Sequence, residues 1–271
     1  MQDVNFVHLI GSVTQDPELR YSPGGLAVAL FTLAGKSEIV SEGGELRTPV
    51  FYQRCKAFGT LAERAAEILQ AGGVASALGR LDYRTWENRE GHRRSSVELI
   101  VESFHRLEEN FAFEADARGQ QVLLGAFNHV TLSGRVTRDS ALRYTSGGDA
   151  VVGHALAVNE RYADSQGEVR DRVGYFAVTA WRELAEATSQ AGKGDGLLVV
   201  GRLAGSTWTQ RDGTRRFETR IEAERLHLLP RLGETESAGS RPEAADAETR
   251  TGADPHVNEA ELDLEEEELP F

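Results

Sequence analysis

Residues 51–58, Phe-Tyr-Gln-Arg-Cys-Lys-Ala-Phe, sort by parity. Successive strand side chains point to opposite faces, so Phe51, Gln53, Cys55 and Ala57 share one face, and Tyr52, Arg54, Lys56 and Phe58 the other. The first set is small or apolar and suits a core. The second alternates aromatic rings with cations, offering π-faces to bases and positive charge to phosphates, as a single nucleic-acid strand requires. A following segment repeats the device with Arg80, Arg84 and Trp86 on one face, while Leu81 and Tyr83 point the other way. The turn beyond adds Arg89, His92, Arg93 and Arg94. An aromatic side chain on a strand usually belongs to the core. Here Tyr52 and Phe58 lie opposite the apolar set, beside two cations.

The same face occurs twice because the chain contains a repeat. Residues 6–34 align without a gap to residues 129–157, with 15 of 29 positions identical at an offset of 123. The offset carries Tyr52 onto Tyr175 and Phe58 onto Trp181. It then slips by one residue, pairing Gly79-Arg80-Leu81 with Gly201-Arg202-Leu203 and Trp86 with Trp208. The matching second face is Tyr175, Ala177, Thr179 and Trp181, followed by Arg202, Ser206 and Trp208, with Arg211, Arg215 and Arg216 in its hairpin. It keeps the aromatics and loses cations. The first copy is therefore expected to be the more electrostatic and the second to rely more on stacking. No nucleophile–base or carboxylate pair recurs in both copies, so no enzyme is expected. The seven histidines show no ligand spacing, so neither metal nor other cofactor is expected. The Gly-rich stretch Ala191-Gly192-Lys193-Gly194-Asp195-Gly196 lacks the spacing of a phosphate loop and reads as a turn.

Each copy has the same element order. A strand (6–14) leads to an Arg-Tyr-x-x-Gly-Gly turn, a second strand (27–34), a Gly-rich hairpin loop (41–45) and a third strand (50–58). A short helix follows, with Leu61, Ala65, Ile68 and Leu69 on one stripe, and two strands (74–86, 94–104) form a closing hairpin. Five strands with one helix after the third is the order of an OB-fold barrel. The fold class is thus all-β with one short helix per domain: two tandem five-stranded OB-fold barrels (1–108 and 127–232). A connector (109–126) joins them, with 111–114 and 121–124 pairing as a small hairpin around 116–119. A disordered acidic C-terminal tail (233–271) completes the chain.

The net charge of −13 would disfavour a nucleic-acid partner if it were spread evenly. It is not. Residues 233–271 hold 13 Asp/Glu against Arg241 and Arg250, which leaves the other 232 residues at a net of −2. The tail is too polar to bury a core. The lone cysteine, Cys55, excludes an intramolecular disulfide framework and reads as a buried small residue in a reducing cytosol. With no signal peptide visible and no long apolar run, the chain is expected to be soluble and cytoplasmic, without a membrane partner.

Leu9-x-Gly11, Arg20-Tyr21, the run Tyr52-x-Arg54-x3-Phe58-Gly59-x-Leu61-Ala62-Glu63 and Gly79-x-Leu81-x4-Trp86 resemble the bacterial single-stranded-DNA-binding protein family. The end of the chain, Asp263-Leu264-Glu265-Glu266-Glu267-Glu268-Leu269-Pro270-Phe271, resembles that family's acidic tip, with Leu-Pro-Phe where Ile-Pro-Phe is commoner. The resemblance covers nearly the whole chain. It implies sequence-tolerant binding of single-stranded DNA during replication, recombination and repair. Base stacking then falls to Tyr52, Phe58, Trp86, Tyr175, Trp181 and Trp208, and to Tyr162, where the first copy has Ile39. Phosphate contacts fall to Arg54, Lys56, Arg80, Arg84, Arg93, Arg94, Arg202, Arg211, Arg215 and Arg216. Asp263, Glu265, Glu266, Glu267, Glu268, Leu269, Pro270 and Phe271 would recruit replication and repair proteins. A chain with two copies resembles the form that reaches four OB-folds as a homodimer. An RNA-directed binder and a protein-interaction module remain the alternatives, since OB-folds serve both.

Overall fold

The computed structural model describes residues 3–40, 46–87, 93–163, 168–209 and 215–229. In the first copy β1 (Asn5–Val13), β2 (Glu18–Tyr21) and β3 (Ala27–Lys36) precede a two-stranded ribbon, β4 (Ile39–Val40) and β5 (Leu46–Arg47). Then come β6 (Val50–Phe58), α1 (Thr60–Ile68), β7 (Val74–Glu87) and β8 (Arg93–Leu107). The connector contributes β9 (Phe113–Ala115) and β10 (Gln121–Leu124), paired antiparallel across Asp116–Gly119. The second copy comprises β11 (Phe127–Val136), β12 (Arg143–Tyr144), β13 (Ala150–Ala163), β14 (Val169–Trp181), α2 (Arg182–Thr188), β15 (Gly196–Thr209) and β16 (Arg215–Leu229). Among the described residues no helix is long and apolar enough to cross a membrane. The hairpin loop at 41–45 and the tail at 233–271 lie outside the described residues.

Both copies are five-stranded OB-folds, and period-two patterning explains why. In β6 the burial alternates without a break, with Phe51, Gln53, Cys55 and Ala57 inside. The ladders of the first copy run from β1 to β7, β8, β6 and β3 and return to β1. Those of the second run from β11 to β15, β16, β14 and β13 and return to β11. The expected helical stripe closes one end of the first copy. Ala62, Ala65 and Leu69 are buried, and Leu61 and Ile68 pack against the core. One reading changes: Arg20-Tyr21 and Arg143-Tyr144 are not turns but short strands paired to β3 and β13. The turn begins two residues later, at Ser22 and Thr145, and uses Gly25 and Gly148, at φ of 80° and 88°.

β1 and β11 pair antiparallel, so the two copies share one 14-stranded sheet. The register places Val7 opposite Val130, its own counterpart in the repeat, and Asn5 opposite Leu132 as Leu9 is opposite Asn128. A pseudo-two-fold axis therefore passes between the two valines. On either side the same clamp holds the next strand. Asn5 donates to the Leu81 carbonyl (2.8 Å) and accepts from its N–H (2.9 Å), and Asn128 does the same with Leu203 (2.9 Å both ways). Both clamps sit just past a bulge at Gly79 and at Gly201. A Cβ there would lie 1.9 Å from the Ile100 carbonyl oxygen or 2.1 Å from that of Glu222, so no other residue fits. The repeated Gly-Arg-Leu is thus a closure signal for the sheet.

The corner between the third long strand and the helix differs between copies. Gly59 takes φ 59° in the first, and the aligned residue in the second is Arg182 at φ 51°. That region costs a side-chain-bearing residue about 1–2 kcal/mol. The guanidinium reaches Asp149 at 3.0 Å, but with both groups about two-fifths exposed the pair returns less than about 1 kcal/mol. We expect Arg182→Gly to stabilise the protein by about 0.5–1 kcal/mol. Urea denaturation would show it as a higher midpoint at unchanged slope, and a lower midpoint would mean the ion pair outweighs the backbone cost.

Candidate nucleic-acid interface

The outward side chains of β6 and β14 form the two faces expected from parity. Tyr52, Arg54 and Lys56 are half-buried and Phe58 is exposed, while in β14 Tyr175 (51%) and Trp181 (39%) stand open to solvent beside half-buried Ala177 and Thr179. Neighbouring strands continue these rows. Phe58 is paired across β3 with Val28 and then with Arg20 of β2, and Trp181 across β13 with Val151 and then with Arg143 of β12. Arg20 is engaged by Glu18 in its own strand. In the closing hairpins Trp86 lies opposite Arg94, and Trp208 opposite Arg216, at equivalent register. Trp86 is half-buried, as is Arg84 two residues before it. The side chains of Arg93, Arg94, Trp208, Arg215 and Arg216 lie outside the described residues, as do Arg89, His92, Arg211 and Asp263 to Phe271 at the tip.

The cations are not simply displayed. Glu98 of β8, itself 4% exposed, lies 3.4 Å from the Lys56 ammonium and 3.7 Å from the Arg54 guanidinium. Lys56 also lies 6.0 Å from the Phe58 ring centroid, within cation–π range. The pairings Cys55↔Leu99 and Val178↔Ile221 make Glu98 and Arg220 equivalent. So where the first copy sets two cations around one carboxylate, the second sets two neutral residues beside one arginine. The second face thus carries fewer cations on β14 itself, and Arg220 supplies one from the adjacent strand. Parity on one strand had hidden an exchange across two.

Arg80 and Arg202 are also tied to carboxylates. Arg80 meets Glu102 at 3.7 Å, and Arg202 meets the equivalent Glu224 at 3.0 Å and Glu222 at 2.8 Å. Arg80 further bonds Glu160 of the second copy at 2.8 Å, and Arg172 bridges Glu160 (2.6 Å) and Asp82 (2.8 Å). These arginines fasten strands and copies together. The Arg172 guanidinium also lies 5.5 Å from the Tyr162 ring centroid, so Tyr162 stands at this junction rather than in the β14 row.

The equivalent tyrosines differ in setting. The Tyr52 hydroxyl donates to Asp116 Oδ2 at 2.9 Å, and burial followed by this hydrogen bond pushes its pKa up to about 12. Tyr175 instead meets Tyr83 of the first copy edge-on at 5.9 Å. Tyr83, placed inside by parity, is half-buried and forms the rim between the copies. Burial pushes the Cys55 thiol well up, which keeps it protonated and unreactive. Among the described residues no cluster of His, Cys, Asp and Glu could hold a metal ion. Glu98, Asp116 and Arg220 are the residues sequence reasoning passed over. The slipped offset of 122 would have set Glu98 against Arg220, but nothing local marks Asp116.

The model of the Single-strand binding protein family matches residues 4–107 and again 127–229. The chain is 43% identical over 270 residues to the single-stranded DNA-binding protein of Thermus aquaticus, covering 99% of this chain and 98% of that one. To the Deinococcus radiodurans protein of that name it is 40% identical over 254 residues, covering 92% and 84%. The crystal structure of the wild-type Thermus aquaticus protein superposes with a TM-score of 0.70 at 40% identity, covering 89% of this chain and 100% of that one.

The charge exchange can be tested directly. Giving the first copy the arrangement of the second, with Arg54→Ala, Lys56→Thr and Glu98→Arg together, should leave the log K versus log salt slope for an oligonucleotide within about one contact, roughly 0.7, of the wild type. Arg54→Ala with Lys56→Thr alone leaves Glu98 uncompensated and should flatten the slope further. Equal slopes for the double and triple variants would show that Arg220 is no substitute for the pair.

Proposed function

Because the chain belongs to the single-strand binding protein family, we propose that it binds single-stranded DNA without strong sequence preference and protects it during replication, recombination and repair. The observation that carries this reading is the outward row of rings, built twice on equivalent strands with cations beside it. Stacking contributes roughly 1–3 kcal/mol per base and tolerates any base, because every base has a π-face. Titrating a dT oligomer should quench the fluorescence of Trp86, Trp181 and Trp208 and saturate at concentrations where a duplex of equal length does not bind. Equal affinity for duplex, or saturation without quenching, would refute the reading.

Two further assignments follow. The tail would recruit replication and repair proteins: Leu269-Pro270-Phe271 supplies an apolar wedge, and Glu265, Glu266, Glu267 and Glu268 steer it to a basic pocket. The chain would also act as a homodimer. Support comes from the outer face of β1 and β11, where Phe6 (39%) and Phe127 (45%) are exposed about the pseudo-two-fold axis, with His8 4.9 Å from the Phe127 ring. A self-complementary patch of this kind suits a second copy. Light scattering should give twice 29.7 kDa for the wild type and the single mass for Phe6→Glu with Phe127→Glu. A wild-type monomer at micromolar concentration would exclude the assembly. Removing Leu269 to Phe271 should abolish capture of purified partners and leave oligonucleotide affinity intact.

A further inference from the structure

The connector touches the stacking row, and it does so through a tether that is itself fixed. Asp116 opens the β9–β10 turn. Its Oδ1 accepts the backbone N–H of Arg118 (2.9 Å) and of Gln120 (2.8 Å), which leaves Oδ2 for the Tyr52 hydroxyl. The hairpin is joined to the first copy by a parallel ladder, Leu123↔Gly35 and Leu124↔Lys36. Ser12 Oγ donates to the Gln121 carbonyl (2.6 Å) and accepts from the Leu123 N–H (3.1 Å). Lys36 pairs with Glu114 of the same hairpin. The contact leaves an open cavity of about 210 Å³ beside the ring, between Lys36, Val50, Tyr52, Glu114, Asp116 and Val122.

We propose that Asp116 is a positioning residue for single-strand binding: it holds the Tyr52 ring in the orientation that receives a base, so the connector is part of the first copy's site. The proposal rests on the single-strand reading above. A tyrosine in an outward row turns freely about two side-chain torsions, and ordering it on binding costs affinity. Here the order is built in before the strand arrives. Among the described residues Tyr175 has no such tether and is instead limited by the edge of Tyr83. The opposing consideration is charge, since a carboxylate beside the path repels phosphate. Removing it should tighten binding if charge is all that matters, and weaken binding if it positions the ring.

The test uses the full chain, a dT oligomer and four variants. Tyr52→Ala should weaken binding most. Asp116→Ala should weaken it about two- to tenfold, the effect of freeing one ordered side chain, and Tyr52→Phe should weaken it similarly while keeping the ring and the turn. In the Tyr52→Phe background Asp116→Ala should weaken binding no further. A spectrophotometric titration should show one tyrosine of the wild type ionising near pH 12, and in Asp116→Ala closer to the ordinary 10. Tighter or unchanged binding by Asp116→Ala overturns the proposal, as does equal weakening in both backgrounds, which would assign Asp116 to the turn alone. If the wild type binds and Tyr52→Ala binds equally well, the proposal falls while the single-strand reading stands. A wild type that ignores the oligomer defeats both.

Discussion

The antiparallel ladder between β1 and β11 is the constraint on which the rest depends. By pairing Val7 with Val130 it relates the copies by a rotation that maps each strand onto its counterpart. The Asn5 and Asn128 clamps, the bulges at Gly79 and Gly201 and the outward rows of β6 and β14 inherit their placement from it. The junction cluster of Arg80, Arg172, Glu160 and Asp82 then removes rotational freedom about the ladder. Glu160 is mostly covered and bonded by both arginines, so losing either partner would leave a charge poorly solvated. The angle between the two faces is therefore a property of the sheet and not of a linker.

Most of the fold could be read from the sequence, because its strongest signals are periodic. The repeat at an offset of 123 and the alternation in residues 51–58 depend only on chain neighbours, and they located both copies and the inside and outside of β6. Less of the site could be read. Parity tells where a side chain points but not what lies across the ladder, and Glu98 is 42 positions beyond Lys56 in sequence yet one strand away in space. The same blindness made Arg80 and Arg202 look like displayed cations when each faces a carboxylate of the adjacent strand. Arg20 and Arg143 were misplaced for a different reason. The Gly-Gly that follows them is a strong turn signal, and a two- to four-residue edge strand has no periodicity of its own to oppose it.

The two faces show how a repeated surface can diverge in which strand supplies its cations. Cations stand on β6 in the first copy and on β16 in the second, so the row keeps a cation beside it while the strand that supplies it changes. In the first copy Lys56 is held by a nearly buried carboxylate, so its charge is partly spent within the fold. In the second the cation comes from β16, and the two positions of β14 that match Arg54 and Lys56 are neutral Ala177 and Thr179. The equivalent rings also differ in surroundings, with Tyr52 under the connector and Tyr175 against Tyr83.

The β1–β11 ladder also bears on synthesis. Once residue 107 has emerged from the ribosome the first copy can close its ring, but the outer edge of β1 from Asn5 to Ile10 has no partner until β11 follows. The sequence Asn-Phe-Val-His-Leu-Ile carries no lysine and no proline, the residues that ordinarily keep a bare edge from pairing with a neighbouring nascent chain. At usual elongation rates the gap lasts on the order of seconds. The connector keeps it short because few residues separate Leu107 from β11. A long or floppy spacer would have prolonged the interval in which two chains on one polysome could join through β1, so the brevity of this connector guards against entanglement between siblings.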